Sequence, residues 1–174
     1  MNRHLFLDTL AYAAQEAKWE SCHQNSGPMD IPYMVSVLWA DDEIQTTATY
    51  DRKGVIESFQ SIVQSAEVAD VICLALVADS FYQTMSDTDK LPASGELLNR
   101  FQEGDLTIRE ALVVTVVDLT RNESKAVQIP YGYGDDGMPK FDDPQAYSHS
   151  RIISVDGIFE GRLVVDGKAP AIDE

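Results

Sequence analysis

The sequence predicts a single α+β domain: a mostly antiparallel sheet, two main helices and a β-rich C-terminal tail. Two stretches carry apolar residues every three or four positions, the spacing of an amphipathic helix. Several β-forming runs are joined by short polar turns, which favours antiparallel neighbours. Asp-Gly dipeptides, which favour type I′ hairpin turns, recur in the last quarter at Asp136-Gly137, Asp156-Gly157 and Asp166-Gly167. We expect residues 1–149 to form the domain and residues 150–174 to pack on it as a hairpin tail or arm.

The first part of the chain predicts a helix followed by a hairpin. The helix should run from about Leu5 to Cys22, with Phe6, Leu10, Ala13, Ala14 and Ala17 on one face. After a polar loop, Tyr33–Trp39 and Ile44–Tyr50 are rich in β-formers. The acidic segment Ala40–Glu43 between them predicts the hairpin turn. Apolar and polar residues alternate in the second strand, so one of its faces should be wet.

The middle of the chain predicts a second helix and a buried strand. The stripe within Val55–Ala66 is the clearest helical pattern in the sequence, and Val71–Ala78 is typical of a strand buried on both faces. The polar segment Phe81–Ser94 predicts a long loop. A short helix should follow, capped by Ser94 and ended by Gly104.

The remainder predicts a second hairpin and the tail. Ala111–Val117 resembles the first buried strand, and Thr120–Glu123 should turn the chain back into Ala126–Ile129. Pro130 cannot donate a ladder hydrogen bond and suggests an edge position. Residues 152–165 are expected to form a short meander or arm around the later Asp-Gly turns.

The charge excludes several partners. The chain has 29 Asp and Glu against 13 Lys and Arg, a net charge of −16 over 174 residues. Such a surface repels nucleic-acid backbones and anionic membranes over about 8 Å at physiological salt. No apolar run approaches the roughly 20 residues that span a bilayer, and Asp8 interrupts any signal-peptide core. The two cysteines, Cys22 and Cys73, are widely spaced, and we expect a soluble cytoplasmic protein that keeps both thiols reduced. The excess of acidic residues has a second interpretation, the adaptation of a whole proteome to a saline or acidic composition.

No familiar catalytic pattern is present. The element order is compatible with a deaminase-like or profilin-like arrangement, but the His-x-Glu and Pro-Cys-x-x-Cys signature of zinc deaminases is missing. The P-loop and Gly-x-Ser-x-Gly patterns are also missing, and the three histidines lack metal-ligand spacing. We therefore predict no catalytic residue, no metal and no cofactor, and favour a non-enzymatic protein.

An aromatic and acidic segment, residues 131–147, is the most unusual stretch, with four aromatics and two Asp pairs. One interpretation is a hairpin with its turn at Asp136-Gly137 and its aromatics covering the sheet. The other is a recognition surface for a basic partner, because tyrosine is enriched at interfaces. The acid spacing does not match a calcium loop. The partner-binding candidates are Tyr131, Tyr133, Asp135, Asp136, Phe141, Asp142, Asp143 and Tyr147.

A basic pair marks the predicted start of the second helix. Arg52 and Lys53 are the only adjacent bases in the chain, and Gly54 follows them. Free N–H groups and a positive partial charge at a helix N-terminus attract anions. Arg52, Lys53 and Gly54 are therefore a candidate anion-binding site.

Three functional hypotheses follow. The first is a non-enzymatic acidic interaction protein that contacts a protein partner, in one version a basic one, through a negative, aromatic-containing surface. It could act as an inhibitor or nucleic-acid mimic. The second is a small-molecule binding module or enzyme with a pocket between Arg52–Gly54 and Tyr131–Tyr147. The third is an assembly component, and so a homo-oligomer, whose C-terminal strands pair with a neighbouring subunit.

Overall fold

The computed structural model describes residues 2–64, 70–82, 96–121 and 123–147. Its elements in chain order are α1 (Arg3–Gln24), β1 (Tyr33–Trp39), β2 (Ile44–Thr49), α2 (Arg52–Gln64), β3 (Val71–Tyr82), α3 (Glu96–Gln102), β4 (Arg109–Asp118), β5 (Glu123–Tyr133), β6 (Pro139–Phe141) and β7 (Gln145–Tyr147). The predicted α+β class and antiparallel sheet are confirmed. The predicted tail, residues 150–174, lies outside the described residues.

All strands of the described chain belong to one curled antiparallel sheet. Their order is β2-β1-β3-β4-β5-β6, and β7 pairs with β5 on the same side as β6. Both predicted hairpins are present, β1 with β2 and β4 with β5. The sheet therefore ends at β2 on one side and at the short strands β6 and β7 on the other.

Helix α1 packs on one face of the sheet. It begins two residues earlier than predicted, because the Asn2 side chain caps it by accepting a hydrogen bond from the Leu5 N–H at 2.9 Å. Its buried side faces alternate residues of β3, such as Ala75 and Val77. Ala13 lies on the exposed side, contrary to the predicted stripe.

Helix α2 packs on the opposite face. Val55 and Phe59 are fully buried there against Leu74 and Leu76, which alternate along β3 with the residues that face α1. Strand β3 is thus buried on both faces, as its uninterrupted apolar run predicts.

Three predictions about strands need correction. Strand β3 does not end at Ala78 but continues to Tyr82, because its pairing with β4 extends to Tyr82 opposite Arg109. Phe81 and Tyr82, which the sequence assigned to a loop, therefore belong to β3, and the remainder of that predicted loop lies outside the described residues. Strand β2 has no buried face, since all six residues are exposed or half-exposed.

Pro130 does not mark an edge strand. Its carbonyl accepts from the Asp142 N–H at 2.8 Å on the outer side of β5, where the chain passes between β6 and β7. The N–H and C=O of a strand residue point to the same side. The N–H that proline lacks would therefore also point to the gap between β6 and β7, where no strand residue needs it. β5 is an interior strand that tolerates proline at an interruption of its outer neighbour.

A hairpin turn is present at Asp136-Gly137, but it is not the predicted type I′ turn: Gly137 has a positive φ whereas Asp136 does not, and the Gly137 N–H donates to the Gly134 carbonyl at 2.9 Å, so the central residues are Asp135 and Asp136. Gly137 has φ of 76°, and the Gly134 N–H donates to the Met138 carbonyl at 2.9 Å, closing the hairpin between β5 and β6. The other two Asp-Gly dipeptides lie beyond the described residues. Among the helices that are described, none has the length and apolar character to cross a membrane.

Candidate functional site

A buried lysine stands at the centre of the α1 face. The Lys18 side chain has no exposed surface, and its Nζ lies 2.6 Å from Oδ2 of Asp79 on β3. The same ammonium donates to the Met29 carbonyl at 2.7 Å and lies 3.4 Å from Oδ1 of Asp30. A buried ammonium needs such partners because an unpaired charge is costly to remove from water.

Tyr131 completes this arrangement from β5. Its hydroxyl donates to Oδ1 of Asp79 at 2.5 Å, and its ring centroid lies 4.6 Å from the Lys18 ammonium. Burial, followed by the negative charge of Asp79, raises the pKa of Tyr131 well above its ordinary range, so the phenol remains a donor. We call Lys18, Asp30, Asp79 and Tyr131 the Lys18 cluster.

The Lys18 cluster was missed at the level of sequence. A signal existed, because Lys18 lies four positions after Ala14 and four before Cys22, both of which are buried on α1. Asp79 likewise follows directly after the apolar run of β3. Neither residue carries a motif that identifies the other as its partner.

A groove opens beside the Lys18 cluster. It has a volume of about 550 Å³ and shares Met29 and Asp30 with the loop that Lys18 holds. We call it the acidic aromatic groove, because it combines two carboxylates with three aromatic rings. Its lining residues are Pro28, Met29, Asp30, Phe81, Phe101, Gln102, Glu110 and Tyr133.

The aromatic wall comes from β3, α3 and β5. The rings of Phe81 and Phe101 lie 4.7 Å apart at a tilt of 39°, and this contact places α3 over the end of β3. Tyr133 also lines the groove, and its ring centroid lies 5.3 Å from the Lys18 ammonium. Phe101 is partly exposed, so an apolar surface remains accessible in the groove.

The position of α3 depends on an acid at its C-terminal end. Asp105 accepts hydrogen bonds from the Thr107 hydroxyl and N–H, and its Oδ2 lies 2.8 Å from the Arg100 guanidinium. These contacts, those of Thr107 above all, lower the pKa of Asp105 from 3.8 to about 2. Because the folded pKa is depressed, the stabilisation is present above pH 3.8 and is lost as the pH falls toward 2.

We therefore expect the Asp105 carboxyl to titrate near pH 2 in an NMR titration of the folded protein. Thr107→Val removes the hydroxyl donor and should move the midpoint upward. Thr120→Val removes the same kind of contact from Asp118 and is the matched control. An Asp105 midpoint that T107V leaves unchanged would contradict this assignment.

The hairpin turn between β5 and β6 lies at the rim of the groove. A side chain at Gly137 would come within 3.0 Å of the Gly27 backbone, and Pro28 is also close. The tip of the hairpin therefore packs against the loop that lines the groove. Asp135 and Asp136 are exposed at this tip, which adds negative charge beside the opening.

The structure separates the aromatic and acidic residues of the predicted partner-binding segment. Tyr131 is buried in the Lys18 cluster, Phe141 packs on the core, and Tyr133 is half-buried and lines the groove. The residues left exposed are Asp135, Asp136, Asp142 and Asp143. Tyr147 lies in β7 opposite Ala126. Tyr131, Tyr133 and Phe141 thus cover the sheet, as in the hairpin interpretation, while the four carboxylates face solvent.

The predicted anion-binding residues stand at the start of α2, as expected. Asp51 caps this helix, because its Oδ1 accepts from the Gly54 N–H at 2.7 Å. A side chain at Gly54 would come within 2.8 Å of Cβ of Thr49, so this position requires glycine. Lys53 is exposed and lies 3.7 Å from Glu57. The Gly54 N–H that an anion would need already has an acceptor.

The segments Arg52–Gly54 and Tyr131–Tyr147 do not meet. α2 packs on the face of the sheet opposite α1 and contacts β1 and β2. Tyr131 and Phe141 belong to the α1 face, and their strands lie at the other side of the sheet. Within the described residues, these two segments therefore line no common pocket.

The two cysteines are buried and unpaired. Burial, with a smaller contribution from Asp118, raises the pKa of the Cys73 thiol to about 11, which disfavours the nucleophilic thiolate. The Cys22 thiol lies 3.6 Å from the Met29 carbonyl and donates to it. Across the described ranges, no group of three or more His, Cys, Asp or Glu side chains could hold a metal ion.

The fold and site define a small α+β protein with a buried ion pair beneath an acidic aromatic groove. No protein family, no curated protein and no solved structure matches this chain. The function proposed below therefore depends on the geometry of the chain itself.

Proposed function

We propose that this chain is a non-enzymatic binding protein whose acidic aromatic groove receives a basic side chain of a protein partner. The observation that carries the proposal is that Asp30 and Glu110 share one groove with Phe81, Phe101 and Tyr133. Carboxylates and aromatic faces both attract a lysine or arginine head group. The rings also provide apolar surface for its methylene stem.

The electrostatics of the whole chain support a cationic partner. The net charge of −16 attracts basic proteins at long range and speeds their association. Lys18 pairs with both Asp79 and Asp30, so one positive charge faces two negative charges beneath the groove. Glu110 and the rim residues Asp135 and Asp136 add negative charge, which Lys140 near Asp136 offsets in part. If the basic site of the partner also binds nucleic acid or substrate, occupation of that site would make this protein an inhibitor.

We propose the cytoplasm as the place of action. Cys22 and Cys73 are both unpaired. Cytosolic proteins keep their thiols reduced, whereas secreted proteins of modest size tend to use disulfides.

The test uses basic peptides as probes. Fluorescein-labelled oligoarginine and oligolysine peptides are titrated into the ¹⁵N-labelled full chain, with oligoglutamate as the negative control. We expect binding of the basic peptides, with chemical-shift changes concentrated at Met29, Phe101, Glu110 and Tyr133. Shift changes spread evenly over all exposed carboxylates would contradict a defined site.

A pair of matched variants separates the groove from net charge. Glu110→Gln removes one carboxylate from the groove, and Glu57→Gln removes one from the exposed surface of α2 on the other face of the sheet. We expect E110Q to weaken peptide binding about fivefold, or about 1 kcal/mol, and E57Q to have a much smaller effect. Equal effects of the two variants would show that the peptides respond only to the net charge of the chain, and this result would overturn the proposal.

A further inference from the structure

Within residues 2–64, 70–82, 96–121 and 123–147, strand β2 leaves one edge of the sheet uncovered. Among these residues it pairs with β1 on one side only, and all six of its residues are exposed or half-exposed. Unpaired N–H and C=O groups along such an edge can template another strand. Ile44, at the start of β2, is one of the large apolar residues that remain exposed.

The two edges of the sheet differ in their protection. Natural edge strands are made short, or carry proline or charge, to prevent pairing with another chain. β6 and β7 have three residues each, and Pro139, Pro144 and Pro130 lie in or beside them. β2 has six residues, Ile-Gln-Thr-Thr-Ala-Thr, with neither proline nor charge. Of the two edges, β2 alone lacks these protections.

The pairing of β2 with β1 determines which groups point outward. The Trp39 N–H donates to the Glu43 carbonyl at 2.9 Å, so this pair is hydrogen-bonded. Bonded and non-bonded pairs alternate in an antiparallel ladder. In the observed register, Gln45, Thr47 and Thr49 therefore bond to β1. The outward N–H and C=O groups belong to Ile44, Thr46 and Ala48.

These outward groups are compatible with a two-fold symmetric partner. An antiparallel copy of β2 centred on Thr46 pairs Ile44 of one chain with Ala48 of the other and Thr46 with itself. Every outward N–H then meets an outward C=O. The exposed Ile44 side chain gains an apolar neighbour across the new strand pair.

The charges that flank β2 are complementary in the same arrangement. The acidic turn Asp41–Glu43 precedes the strand; Asp51, which caps α2, and the basic pair Arg52–Lys53 follow it and together carry a net positive charge. The antiparallel symmetry brings the beginning of one strand to the end of the other. Each acidic turn then lies near the basic pair of the second chain. In this arrangement the two cations, which are unfavourable for the helix itself, gain opposite charges from the second chain.

We infer that β2 pairs antiparallel with β2 of a second copy of this chain, which joins two sheets into one across a two-fold axis. The interface uses β2, the acidic turn and the start of α2. It leaves the acidic aromatic groove on a different part of the molecule, so dimerisation and peptide binding can succeed or fail independently.

Amide hydrogen exchange combined with molecular mass tests this directly. Light scattering over a dilution series should give twice the mass of one chain at high concentration and one chain on dilution. NMR exchange in the dimer should show slow N–H groups at Ile44, Thr46 and Ala48. On dilution these three should become fast, whereas Gln45 and Thr47 stay slow in both states.

Two sets of variants identify the interface. Ala48→Pro removes an N–H that points outward and leaves every hydrogen bond between β2 and β1 in place. It should therefore abolish the dimer, while the folded monomer keeps its circular dichroism spectrum. Ala48→Ser is its matched control and should still dimerise. Glu43→Lys and Lys53→Glu should each weaken the dimer about tenfold, because the two-fold axis repeats the altered contact. The double variant E43K/K53E should restore it.

A chain that stays monomeric at every concentration would overturn the inference. So would a dimer whose Ile44, Thr46 and Ala48 amides exchange as fast as in the monomer. The exposed α1 side chains Leu5, Tyr12 and Trp19 could produce that second result by holding two copies together. If A48P fails to fold, the variants E43K, K53E and E43K/K53E still test whether this interface forms.

Discussion

Replacement of Lys18 by methionine is expected to lower the free energy of unfolding by about 3–5 kcal/mol, the usual effect of removing one partner of a buried ion pair. Methionine matches the length of the aliphatic stem but leaves Asp79 without its counter-charge. The Asp79 side chain is only 1% exposed, so water cannot replace the lost ammonium. Equilibrium unfolding in urea measures the change.

The double variant K18M/D79N separates the charge from the shape of the site. Asparagine removes the stranded negative charge and keeps an oxygen that can accept from Tyr131. We expect it to recover most of the lost stability, because a buried pair replaced by neutral groups is often near-neutral. Lys53→Met is the surface control, since that side chain is 84% exposed, and should change stability by less than about 0.5 kcal/mol. Wild-type stability in K18M would contradict a structural role for the ion pair.

Truncation of Phe59 to alanine is expected to destabilise the protein by about 3–5 kcal/mol. Phe59 is fully buried between α2 and the sheet and packs in the same cluster as Leu74. Two contributions add up in this loss of stability: the hydrophobic free energy of burying the ring, and the cost of the cavity that alanine leaves. The cavity persists because the closely packed neighbouring strand cannot collapse into it. Thermal and urea unfolding both report this change.

Matched substitutions test that α2 docks through this side chain. Phe59→Leu keeps most of the apolar volume and should lose less than about 1.5 kcal/mol. Phe101→Ala truncates a ring of the same size that is 38% exposed, so its effect on stability should be well below that of F59A. Equal losses in F59A and F101A would show that burial of Phe59 against the sheet is not the source of the stabilisation.

Local features of this fold could be predicted from sequence because their causes are local. The β1–β2 turn, the helical stripe of α2 and the Asp136-Gly137 hairpin each depend on residues within a few positions of one another. The length of β3 could not be predicted in this way. Asp79 looks like the start of a loop until its partners Lys18 and Tyr131 are known, 61 and 52 positions away.

The candidate site was predictable in part for the same reason. The aromatic and acidic segment indicated where the hairpin and its negative tip would lie. The groove also needs Asp30 from a loop, Phe81 from β3 and Phe101 from α3. These elements come together only in the folded sheet. Pro130 shows the limit of the local rule that proline marks an edge strand. It lies in the interior strand β5, and this is possible because the neighbouring chain is interrupted between β6 and β7 where its missing N–H would point.

The loop beneath the groove has a consequence for the way a ligand would bind. Met29 is held through its carbonyl by Lys18, and the Ile31 N–H donates to Asp79 at 3.3 Å. One wall of the groove is therefore preorganised before any ligand arrives. A ligand that enters it does not have to bear the entropic cost of ordering that segment. The buried ion pair thus links stability to affinity, and loss of Lys18 should weaken binding in a groove where the Lys18 side chain itself is not exposed.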